Sequence, residues 1–166
     1  MNIRFGILTV SDRSASGERA DRSGIELSNV VKTNGWEVRE QVIVPDEIDA
    51  IQSKLVAWCD SNSVDVILTT GGTGFSKRDV TPEATLGVID RLAPGLVEAM
   101  RRAGSSITPH AMLSRAISGI RGKTLIVNLP GSPTGAVESL EVILPVLEHS
   151  VLLMNDDPGS ERSHRP

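Results

Sequence analysis

Cysteine is almost absent from this chain. Its 166 residues hold a single one, Cys59, so neither an intrachain disulfide nor a cysteine-rich metal site can be built, and a reducing cytoplasm is the expected setting. Aromatic residues are nearly as scarce: there is no tyrosine, and Phe5, Trp36, Trp58 and Phe75 are the whole set. Basic patches interleaved with stacking aromatics are therefore missing, and with a net charge of −4 no nucleic-acid partner is expected. Long apolar runs are missing too. No stretch reaches the roughly 20 residues that span a bilayer, and the initial MNIRFGILTV has no separate basic region, apolar core and cleavage site, so neither a membrane segment nor a signal peptide is expected. The mild acidity does not exclude a polyphosphate ligand, because local backbone N–H groups and a few arginines matter more than total charge.

What is present is enough for one core. A chain of this length buries about two thirds of its unfolded surface. One domain is expected over residues 1–154, with residues 155–166, polar and without periodicity, as a flexible tail. Apolar, β-branched runs predict strands at Ile3–Val10, Glu37–Val44, Val64–Thr70 and Thr124–Asn128, with a further one at Ala116–Ile120 that would form a hairpin across Gly122-Lys123. Helical spacing groups Leu27, Val30, Val31 and Asn34 ahead of a left-handed cap at Gly35. It also groups Ile48, Ile51, Leu55, Trp58 and Cys59 behind Asp46 as N-cap. Thr81-Pro82-Glu83 reads as cap, first-turn proline and acid opening a third helix with Val88, Ile89 and Leu92 as its buried stripe. A fourth helix runs from Pro94 to Gly104, and the last starts near Ser132-Pro133 with Val137, Leu140, Leu144, Leu147 and Val151 inward and a kink at Pro145. This alternation predicts an α/β sandwich on a mixed, mainly parallel sheet.

In such sheets ligands collect beyond the carboxyl ends of the strands. Three strand ends carry small or polar groups: Thr9 to Arg13, Thr69 to Gly74, and Asn128 to Pro133. The Gly71-Gly72-Thr73-Gly74 loop could let main-chain amides approach a phosphate, although it is neither a Walker A loop nor the G-x-G-x-x-G pattern, and a tight turn explains it equally well alone. Asp79 follows it, and a carboxylate beside a phosphate cradle favours an intervening Mg²⁺. Asp46 reads either as a second metal ligand or as a cap. Lys77 and Arg78 read as surface charge. Gly131-Ser132 marks a helix N-terminus suited to an anion or to structure alone, and Ser114-Arg115 offers a hydroxyl and a guanidinium. His110 and His149 form no metal-ligand pair.

The order and spacing of Leu8 to Arg13, Thr69 to Gly74 with Arg78 to Thr85, and Asn128 to Pro133 resemble the molybdopterin-binding family over roughly residues 3–153. Val44 to Glu47 and Leu113-Ser114-Arg115 resemble its adenylyltransferase members, the MogA type. The resemblance implies a three-layer α/β/α sandwich, a homotrimer, and transfer of AMP from Mg·ATP to molybdopterin, with a metal-insertion protein downstream. It also implies roles: Asp46 and Asp79 as catalytic, Mg²⁺-binding carboxylates; Gly71, Gly72, Thr73, Gly74, Pro130 and Gly131 at the nucleotide phosphates; Ser11, Asp12, Arg13, Ser114 and Arg115 at molybdopterin. A binding-only or scaffold homologue and a nucleotide pyrophosphatase remain alternatives.

Overall fold

A computed structural model describes residues 1–156; all of the expected tail beyond Asp156 lies outside the described residues. Strands β1 (Arg4–Val10), β3 (Val66–Thr70) and β6 (Thr124–Leu129) are buried almost throughout, as continuous apolar runs are when helices cover both faces of a sheet. Strand β2 (Glu37–Val44) alternates half-buried and exposed positions along most of its length and forms one edge. Helices α2 (Arg22–Thr33), α3 (Ile48–Asp60) and α6 (Pro133–Met154) are joined by the short α1 (Asp12–Ala15) and α4 (Thr81–Leu86), and by α5 (Pro94–Ser105), which leads into a 3₁₀ turn at Pro109–Leu113. The sheet order is β2-β1-β3-β6-β5-β4, with β5 (Ser118–Arg121) and the two-residue β4 (Arg91–Leu92) running antiparallel at the far edge.

Alternating side chains sort the core into two layers. Phe5, Ile7, Val66, Leu68, Leu125 and Val127 pack under α2, α5 and α6, whereas Leu8, Val10, Ile67 and Ile126 pack under α3 and α4. The result is the three-layer α/β/α sandwich with a mixed, mainly parallel sheet. Because β1 connects outward to β2 and β2 returns across it to β3, the switch point lies between β1 and β3. Register places Thr9 beside Thr70 and Thr70 beside Leu129, so the strand ends open at one rim. Among the described residues no helix is long and apolar enough to cross a membrane.

Several expectations need correction. Neither predicted cap is one: α3 starts behind Glu47 without a side-chain cap bond, and α4 starts at Thr81 itself, behind Val80. The carboxylate of Asp46 and the hydroxyl of Thr81 are drawn to tertiary partners at the rim instead. The helix expected to bury Leu92 stops at Leu86, where Gly87 follows with its poor helix propensity. The chain then turns to pair with β5, leaving Val88 and Ile89 packed under the sheet and Leu92 59% exposed. Ile48 and Asn34 are exposed, and α6 buries Ala136 and Ile143 where Val137 and Leu144 were expected to be innermost. That helix continues through Pro145. The hairpin turn at Gly122-Lys123 and the left-handed Gly35, at φ 76°, are as expected.

Candidate functional site

The β3–α4 loop is held in shape by hydrogen bonds to its carbonyls. Gly71 and Gly72 have φ of 99° and 67°, a left-handed pair that residues with a Cβ adopt only under strain. The Thr81 hydroxyl donates to the Gly71 carbonyl (2.8 Å) and the Thr81 amide to that of Gly72 (3.1 Å). The Arg115 amide donates to the Thr73 carbonyl (2.9 Å) and its Nε to that of Gly74 (2.7 Å). All four carbonyls of the loop are thereby satisfied by protein donors. Among the described residues the N–H groups of Gly72, Thr73 and Gly74 have no hydrogen-bond acceptor. This is the arrangement an anion cradle requires.

The loop lies between two clefts. One, of about 430 Å³, sits at the switch point and is lined by the ends of β1 and β3, by Asp46 and Asp79, and by the N-termini of α2 and α6 at Asp21–Ser23 and Ser132-Pro133. Its groups are mostly polar. The other, of about 500 Å³, is walled by Ile107, Ala111, Leu113 and Val142 and receives Ser114 from the segment after the 3₁₀ turn. Gly72, Asp79, Gly131 and Ser132 line both.

Asp46 is held by a reciprocal pair: the Asp12 amide donates to Asp46 Oδ2 (2.8 Å), and the Asp46 amide to Asp12 Oδ1 (3.0 Å). Arg78 then clamps Asp12 through Nε and Nη2 (both 3.0 Å) and reaches Glu47 Oε1 (2.8 Å), so it braces the rim rather than standing as loose surface charge. Arg78 and the Asp46 amide hold the Asp12 carboxyl below its usual range. Burial, with the charges of Asp12 and Asp79 adding to it, pushes Asp46 above its own. A carboxylate whose charge is disfavoured in this way gains from a cation beside it. Asp79 Oδ2 accepts from the Ser76 amide (2.9 Å). A Cβ on Gly72 would stand 3.2 Å from Asp46 Oδ1, and one on Gly74 2.9 Å from Asp79 Oδ2, so small residues leave the space in which both carboxylates reach the loop.

The expected site residues separate into groups. Asp46, Asp79, Gly71, Gly72, Gly131 and Ser11 line the polar cleft. Thr73, Gly74, Pro130 and Ser114 line the other. Asp12 and Arg13 line neither cleft: Asp12 is engaged by Arg78, and Arg13 is exposed on α1. Arg115 is engaged by the loop. Three features escaped the sequence reading. Arg19 and Arg22 line the polar cleft, and among the described residues neither guanidinium has a hydrogen-bond or ion-pair partner. Asp21 caps α2 through Gly24 N–H (2.8 Å) and accepts from the Thr9 hydroxyl (2.8 Å). Asn128, fully buried, donates to the hydroxyls of Thr69 (3.0 Å) and Thr85 (2.9 Å) and accepts from Ile117 N–H (3.2 Å), fixing α4 to β3 and β6 behind the loop. Asp21 ahead of Arg22-Ser23-Gly24 is a local cap signal, but nothing in the sequence indicates that Arg19 and Arg22 have no partner among the described residues.

Residues 6–149 match the family described as a probable molybdopterin binding domain. A molybdopterin adenylyltransferase of Helicobacter pylori is 41% identical over 155 residues, covering 92% of this chain and 88% of that protein. Gephyrin of Dictyostelium discoideum is 42% identical over 172 residues, covering 96% of this chain; the chain spans only 24% of that much longer protein. The crystal structure of the molybdopterin biosynthesis enzyme MoaB from Thermus thermophilus superposes with a TM-score of 0.88 at 50% identity, covering 94% of this chain and 98% of the other.

Proposed function

The chain belongs to the molybdopterin-binding domain family, and from that membership we propose that it is a molybdopterin adenylyltransferase, an enzyme that moves AMP from ATP to the terminal phosphate of molybdopterin and releases pyrophosphate. The observation that carries this reading is the pair of clefts meeting at one amide-lined loop and one carboxylate, Asp79. A transferase for two polyanions needs two sites with a shared edge. The polar cleft, with the Gly72 amide at its edge, two helix N-termini, and Arg19 and Arg22 without partners among the described residues, suits the polyphosphate. The more apolar cleft suits a flat ring, and Ser114 gives it a polar edge for the pterin. Ser11 then serves the phosphate side, while Asp12 and Arg115 hold the rim in shape.

The nucleophile is a phosphate oxygen of the substrate. It attacks the α-phosphorus of ATP, and the bond to the pyrophosphate oxygen breaks. The protein contributes alignment and charge stabilisation: the amides of Gly72, Thr73 and Gly74 and the arginines face oxygens that gain charge as the bonds exchange. No side-chain nucleophile is required, and Cys59 is unsuited to the task, since burial pushes its thiol up to about 11.

Asp46 and Asp79 fit a magnesium ion. Both line the polar cleft, and the charge of Asp46 is disfavoured until a cation approaches. Among the described residues no group of three or more His, Cys, Asp and Glu side chains could hold a metal alone. Two carboxylates completed by phosphate oxygens and water are the usual magnesium arrangement. The ion would supply electrostatic stabilisation of charge on the phosphates.

We further infer, from the family resemblance, a cytoplasmic homotrimer, read by light scattering as three times 17.7 kDa, which passes its product to a metal-insertion protein. Incubation of the purified protein with Mg·ATP tests the reaction. Pyrophosphate should form only when molybdopterin is added. A pyrophosphatase consumes nucleotide without it, and a binding-only homologue does neither.

A further inference from the structure

The resemblance assigns Arg115 to the pterin, but its hydrogen bonds point elsewhere. Nε donates to the Gly74 carbonyl (2.7 Å), Nη2 to the Asp79 carbonyl (2.6 Å), and both terminal nitrogens pair with Glu83 of α4. The backbone amide of Arg115 adds the bond to Thr73. One residue from beyond the 3₁₀ turn thus grips both ends of the 73–79 loop. Its guanidinium lines neither cleft, and its donors are directed at protein acceptors. The pairing holds the Glu83 carboxyl below its usual range.

We propose that Arg115, locked by Glu83, is a positioning residue for the metal-bearing edge that the two clefts share: by taking the Thr73 and Gly74 carbonyls it holds the loop that ends at Asp79, and by taking the Asp79 carbonyl it fixes the backbone from which that carboxylate projects. This rests on the reading of Asp79 as a magnesium ligand. A planar guanidinium with a fixed fork of donors satisfies two carbonyls and a carboxylate at once, which a lysine ammonium, a single point charge, does not. Leu113 and Ser114, immediately before it, line the second cleft, so the same segment links the pterin wall to the phosphate loop.

The test uses Mn²⁺ with the α,β-methylene analogue of ATP, without molybdopterin, and reads free Mn²⁺ by electron paramagnetic resonance. The parent should bind both. Arg115→Lys should weaken Mn²⁺ binding about tenfold or more, as loss of an outer-shell support does. Arg115→Ala should do the same and recover in part with millimolar guanidinium. Glu83→Gln, which keeps the fold's packing and loses only the charge, should shift Mn²⁺ binding in the same direction by less, and it carries the test if an Arg115 variant melts early. Parent-like Mn²⁺ binding by folded Arg115→Lys, with a raised KM for molybdopterin alone, overturns the inference and returns Arg115 to the pterin while leaving the proposed reaction standing. A parent that takes up no Mn²⁺ with the nucleotide removes the metal reading itself, and this inference with it.

Discussion

Replacing Asp46 by asparagine or alanine separates its two jobs at the rim. Structurally it gives the Asp12 amide an acceptor at 2.8 Å. A hydrogen bond to a charged group contributes about 1.5–3 kcal/mol. Asp46 is half-buried and its charge is disfavoured by burial, so the low end applies: Asp46→Ala should cost about 1.5 kcal/mol. For a chain of this length that is a fall in Tm of about 3–6 °C. Asparagine keeps an oxygen for the Asp12 amide, and Asp46→Asn should stay within about 0.5 kcal/mol of the parent. The pH dependence fixes the sign. A carboxyl raised in the folded state favours folding below its unfolded value of 3.8, and that benefit is lost as pH rises through the folded one. At neutral pH the parent therefore carries an unfavourable charge that the asparagine variant lacks, so Asp46→Asn should melt no lower at pH 7. Activity should divide differently. Loss of a carboxylate beside Mg²⁺ should slow pyrophosphate release on the order of 10²-fold in both variants and raise the Mg²⁺ requirement. Thermal melts and Mg²⁺ titrations of pyrophosphate release measure the two effects. Parent-like turnover by Asp46→Asn, with Asp46→Ala merely less stable, would refute the metal role and leave Asp46 as a structural acceptor.

Thr81→Val removes a fully buried hydroxyl and leaves the Gly71 carbonyl without its donor, so it should cost about 1–3 kcal/mol in a denaturant titration. Gly74→Ala places a Cβ 2.9 Å from Asp79 Oδ2; nucleotide-dependent Mg²⁺ affinity should drop while molybdopterin binding holds, and equal affinity would show that Asp79 is free to move aside. Asn128→Leu strips three hydrogen bonds from a fully buried network and should lower stability by about 3 kcal/mol or more, with an unchanged melt contradicting its role in seating α4.

The strands of the sandwich were legible because their apolar runs are long and their helices amphipathic. Gly35 and Ser132 could be placed from local chemistry alone, since each acts within its own turn. The cap alternative for Asp46, and the cap reading of Thr81, fail for the opposite reason. Both are good capping residues by type, but one is taken by an amide 34 positions away and the other by a carbonyl 10 positions back. Local pattern cannot show that a tertiary partner has outcompeted the helix end. Arg78 and Arg115 share this difficulty: as sequence one is a surface charge and the other a guanidinium offered to the pterin, and only the fold shows that one braces Asp12 and Glu47 while the other holds the phosphate loop. Leu92 escaped because its helix ends at a glycine and a two-residue edge strand takes over, too short to leave a periodic trace.

The most direct test of the central claim follows the label from ATP. With molybdopterin and Mg²⁺, the purified protein should move ³²P from the α position of ATP onto the pterin, in a product whose mass equals molybdopterin plus AMP less one water, while label from the γ position appears only in pyrophosphate. Label remaining in free AMP, or released from ATP at the same rate without molybdopterin, would contradict the transfer and identify a hydrolase in its place.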